Sequence, residues 1–171
     1  MSMTTQSSRG GRSDVPRGGA MAIQRSRGAV SGFLLVLLGI WGALIPFVGP
    51  YFGYTFGVMV PWFFTYDRLW LDILPGIAVF LGGLILGPSA NRASGGFGAW
   101  LAVLGGIWLA TGPVISQLWR VGGLEAPIGA PLGPNWLHVL EQLGYFYGLG
   151  AVVTAVAAFA LGRLTVRSVH D

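Results

Sequence analysis

The stretch Val36-Leu-Leu-Gly-Ile-Trp-Gly-Ala-Leu-Ile-Pro46 decides the fold. It lies in a run without charged residues from Gly28 to Tyr66. A near copy follows as Val103-Leu-Gly-Gly-Ile-Trp-Leu-Ala-Thr-Gly-Pro113, with Trp41 to Pro46 matching Trp108 to Pro113 at a constant offset of 67. About 20 apolar residues cross a bilayer core, so both copies read as pieces of membrane helices. Charged residues make up 9% of the chain, against roughly 25% in soluble domains. The class is therefore an all-α integral membrane protein.

Working outward, charges bracket four apolar runs. The predicted spans are roughly 29–48, 72 or 73 to 86, 97–118, and 142 or 143 to 161. Residues 1–28 form an Arg-rich polar tail with too little apolar surface to offset the cost of ordering, and Met21 is an alternative start. The membrane domain is 29–162, with repeat one at 29–88 and repeat two at 97–162. A short tail, 163–171, closes the chain. Residues 49–70 are rich in Tyr and Trp and broken by Pro50 and Pro61. They read as an aromatic loop at headgroup level.

The chain has ten arginines and no lysine. Arg9, Arg12, Arg17, Arg25, Arg27, Arg92, Arg163 and Arg167 fall on one side of the predicted topology, and Arg68 and Arg120 on the other. The positive-inside rule then puts both termini in the cytoplasm of a cell (inner or plasma) membrane. Topology thus accounts for the basic balance without a nucleic-acid partner. There is no cysteine, which excludes disulfides and thiolate metal sites.

The repeat extends past the tryptophans. After an eight-residue slip, Pro75-Gly-Ile-Ala-Val aligns with Gly150-Ala-Val-Val. Each unit is helix, loop, helix, so the copies are parallel, and the expected architecture is a pseudo-two-fold four-helix bundle. Gly39, Trp41 and Pro46, with Gly106, Trp108 and Pro113, form its structural motif. Small residues at four-residue spacing let helices approach closely. A proline near the outer end of a helix bends or ends it.

These residues resemble the SPW-repeat membrane proteins of bacteria: Gly-x-Trp, a proline, a loop and a second span, used twice. The Ser-Pro-Trp of that family reads Ile45-Pro46-Phe47 and Gly112-Pro113-Val114 here. The resemblance implies a small bacterial multi-spanning protein with no established reaction.

Chemistry is sparse. No ionisable side chain falls mid-span, where charges mark ion and proton pathways. Asp67, Arg68, Asp72, Glu125, His138 and Glu141 collect on the outer side as a partner surface. Asp72, His138 and Glu141 are weak metal candidates, because two residues at helical spacing are fewer than the three or more ligands a metal takes. No catalytic set and no cofactor site is visible. The expected role is a non-enzymatic accessory or scaffolding subunit whose partners are the lipid bilayer and other membrane proteins or a second copy. The alternatives are a small oligomeric channel or carrier, and a lipid- or quinone-binding subunit of a membrane enzyme.

Overall fold

The structure, a computed structural model, describes residues 26–57, 59–118 and 134–165. The tails, Arg120, Glu125 and Met21 lie outside them. Among the described residues the helices are α1 (Ser26–Val48), α2 (Tyr66–Arg68), α3 (Leu74–Leu86), α4 (Arg92–Ile115), α5 (Asn135–Tyr145) and α6 (Tyr147–Thr165), with no strand. A π-helical turn, Leu69–Ile73, joins α2 to α3 without a break. Four stretches are long and apolar enough to cross a membrane: Gly28–Phe52, Tyr66–Leu86, Arg92–Leu118 and Asn135–Thr165.

The second and third spans begin several residues before the sequence places them. The second opens at Tyr66, where the Thr65 hydroxyl accepts the Arg68 N–H and Asp67 sits in the first turn. Both features favour a helix start. The third opens at Arg92, capped by the Asn91 side chain on the Ala93 N–H. The fourth opens at Asn135 and breaks at Phe146, whose φ of −129° and ψ of −79° are not helical. Asp72 and Glu141 consequently lie inside the apolar helical stretches rather than at their mouths.

The helices run up and down. α1 packs on α3, α3 on α4 and α4 on α6, while α6 returns to α1 along a thinner seam. Leu35, Val79, Ala102, Leu109, Val153 and Ala157 fill the middle. In lipid no hydrophobic force drives helices together, so close approach has to supply the contact. Glycine supplies it. A Cβ on Gly39 would sit 2.7 Å from the Phe80 Cα, and one on Gly76 would sit 2.6 Å from the Ala43 nitrogen. The second hairpin repeats the seam. A Cβ on Gly106 would meet the Thr154 nitrogen at 2.9 Å, and one on Gly150 the Ala110 nitrogen at 2.6 Å. Gly39 and Ala43 thus correspond to Gly106 and Ala110 at the offset of 67. Gly76 and Phe80 correspond to Gly150 and Thr154 at an offset of 74. The sequence alignment instead sets Ala151 opposite Gly76, at an offset of 75.

The prolines also act alike. α1 ends two residues after Pro46 and α4 two residues after Pro113, and a 3₁₀ turn follows each. Each proline therefore ends its helix.

Gly39→Val or Gly150→Val should destabilise the fold by about 1–3 kcal/mol, the usual cost of overpacking. Gly96→Ala, which meets nothing within 4 Å, should not. Unfolding in mixed detergent micelles measures both.

Candidate functional site

Helix ends and helix irregularities leave backbone carbonyls without partners, and lipid offers no water to satisfy them. At the end of the bundle away from the described termini, side chains take over. The last turn of α1 presents the carbonyls of Ile45 and Pro46. Tyr145 shares its one hydroxyl proton between Tyr54 O at 2.9 Å and Ile45 O at 3.3 Å. Arg68 donates Nη1 to Pro46 O at 3.1 Å and to Phe63 O at 2.8 Å. A cation at a helix C-terminus is also favoured by the helix dipole. Glu141 accepts the Thr55 N–H at 3.3 Å, and the Tyr54 hydroxyl donates to Leu140 O at 2.6 Å. These bonds strap residues 53–57 and 59–65 down over the bundle.

The rings pack with the strap. Tyr54 stacks on Tyr145 with centroids 5.2 Å apart, and Phe56 meets Phe146 edge-on at 5.2 Å. Trp62 holds a φ of 57°, rare for a non-glycine residue, while its ring stacks on Phe47 and its N–H donates to the Tyr51 hydroxyl. The strap's outer side remains aromatic and exposed, with Phe52, Trp62, Phe63 and Phe64 uncovered.

Arg68, Asp72 and Glu141 are 3%, 1% and 0% exposed. They were expected to form a partner surface with Asp67, Glu125 and His138. Instead they turn inward: Arg68 donates to carbonyls that lie inside the bundle end, and Glu141 accepts the Thr55 N–H there. Asp67 and His138 are half-buried. Asp72 lies within electrostatic reach of Arg68 and Tyr145, and its Oδ1 is buried without a hydrogen-bond partner. Among the described residues no group of three His, Asp or Glu could hold a metal, so Asp72, His138 and Glu141 do not converge into one.

The tryptophans of the motif have partners that sequence reading missed. Trp41 Nε1 donates to Gly144 O at 3.1 Å, and Trp108 Nε1 donates to Trp70 O at 2.8 Å. Each therefore reaches across to the other hairpin, and the two acceptors differ by the same offset of 74. The Leu74 N–H bonds to Leu69 O in π fashion. The next carbonyl in that register, Trp70 O, faces Pro75, which has no N–H to give. Trp108 supplies the missing donor. Gly144 O lies at the α5–α6 break. Pro75 in the sequence was the available signal for Trp70 O, and nothing in the sequence marked Gly144 O.

Tyr54, on the loop, has its hydroxyl held above the ordinary tyrosine range, first by burial and then by the Glu141 charge. Its folded pKa is raised, so its contribution to stability is complete below the unfolded value of about 10 and lost as pH rises beyond it. Tyr54→Phe should flatten that alkaline loss in a pH-dependent melting series. Arg68→Met strips the donor from Pro46 O and Phe63 O and should cost about 1–3 kcal/mol for each carbonyl left unsatisfied, and Arg68→Met with Asp72→Leu, which leaves both carbonyls bare, should not recover it. Denaturant titration in micelles compares the two.

Comparison of the chain with protein-family models, with curated proteins and with solved structures finds no match.

Proposed function

We propose that this chain is a non-enzymatic multi-pass protein of the cell membrane that serves as an accessory or scaffolding subunit, with both termini cytoplasmic. The supporting observation is how the polar groups at the loop end are used. Arg68 and Tyr145 both direct their donors at backbone carbonyls of Ile45, Pro46, Tyr54 and Phe63. Such groups hold the chain in shape. The resemblance to SPW-repeat proteins, carried by Gly39, Trp41, Pro46 and their counterparts, agrees with this reading. So do the matched contacts of the two hairpins, which we take as copies of one unit.

The partners are the bilayer and other membrane proteins, reached through the exposed apolar helix faces and the aromatic strap. A pore within one chain fits less well, since Leu35, Val79, Leu109 and Val153 occupy the interior.

Affinity isolation of the tagged chain in mild detergent, with partner identification, tests the role. A stoichiometric membrane-protein companion or a homo-oligomer is expected, and a solitary monomer contradicts it. Met59→Cys, exposed on the strap, should react with an impermeant maleimide added to intact cells. Labelling only after lysis contradicts the orientation.

A further inference from the structure

We propose that the groove between α1 and the α5–α6 pair seats an acyl chain of a membrane phospholipid. The proposal is independent of the scaffolding role. The groove has a volume of about 560 Å³ and is lined by Leu38, Trp41, Tyr54, Leu143, Gly148 and Val152 among others. That is within the roughly 300–1,000 Å³ of small-molecule sites.

Its position explains why it is open. α3 and α4 close their seam with backbone-close contacts, such as Gly82 against Gly98 O and Ala102 N. The corresponding α1–α6 seam is thinner: a Cβ on Gly42 would meet α6 first at a side chain, that of Leu149 at 3.1 Å, and not at backbone. At the offset of 74, Trp70 and Leu74 correspond to Gly144 and Gly148. One hairpin thus carries large apolar side chains where the other carries glycines. At Gly144 the Tyr54 hydroxyl and ring take the space a side chain would need, and at Gly148 the Leu143 carbonyl does, so the groove lies beside these glycines, between the side chains of α1 and those of the α5–α6 pair.

Polarity agrees. The Trp41 N–H and the Tyr54 hydroxyl, the polar side-chain groups on the named wall, are already bonded to Gly144 O and Leu140 O. Nothing there needs a polar ligand. The walls belong to two stretches able to cross a membrane, Gly28–Phe52 and Asn135–Thr165, apart from Tyr54 on the loop. Acyl chains are therefore the medium around the groove, and a chain lying in it replaces contacts that an unfilled groove would forfeit.

The test is native mass spectrometry of the full chain, purified in mild detergent and reloaded with palmitoyl-oleoyl phosphatidylglycerol or, separately, ubiquinone. Val152→Trp fills the groove from a half-exposed position. Leu143→Trp is a second filler should the first not fold. Leu104→Trp, exposed on α4 away from the groove, is the control. The expected result is phospholipid retained by the wild type and by Leu104→Trp, and lost in either filler. Equal retention in filler and control overturns the proposal. So does preferential retention of ubiquinone, or a dimer of the chain that takes up no lipid.

Discussion

A backbone carbonyl without a donor is the constraint on which this structure depends. In water such a group is satisfied by solvent. In a bilayer it costs several kcal/mol unless the protein supplies a partner. The bundle creates such carbonyls where Pro46 ends α1 and where the π turn runs into Pro75. It answers them with Arg68, Tyr145 and Trp108. The same bonds tie the strap to the bundle and one hairpin to the other. Local irregularity and tertiary assembly are therefore one problem with one solution.

The Gly-Ile-Trp motif works in two directions. Gly39 closes on its own hairpin at Gly76 and Phe80, while Trp41 reaches the other hairpin at Gly144. Gly106 and Trp108 do the same at Gly150 and Trp70. Glycine sets the distance within a hairpin, and tryptophan sets the register between hairpins. The asymmetry lies in what fills the seams. Trp70 and Leu74 stand on one side and Gly144 and Gly148 on the other, and the open side holds the groove.

Much of this was legible in the sequence. Charge-free runs gave the four spans, and glycine spacing gave the faces that meet. Span starts were missed because charge was taken as the boundary, although Thr65 and Asn91 carry capping signals that override it. Burial of Arg68, Asp72 and Glu141 could not be read, because it depends on a strap folding back over the bundle. The alignment sets Ala151 opposite Gly76 where Gly150 makes the close contact with Ala110, because two neighbouring small residues look alike until that contact is seen. The crossed tryptophan bonds join residues 103 and 38 positions apart, beyond the reach of any local pattern.

The most direct test of the account is a double-mutant cycle between Trp108→Phe and Pro75→Ala, read by unfolding in mixed micelles. If Trp108 serves a carbonyl that Pro75 leaves without a donor, removing the indole N–H should cost about 1–3 kcal/mol in the parent, the cost of an acceptor left unsatisfied away from water. With Pro75→Ala, the new backbone N–H serves Trp70 O, and the same substitution should cost little. An equal cost in both backgrounds would contradict the account.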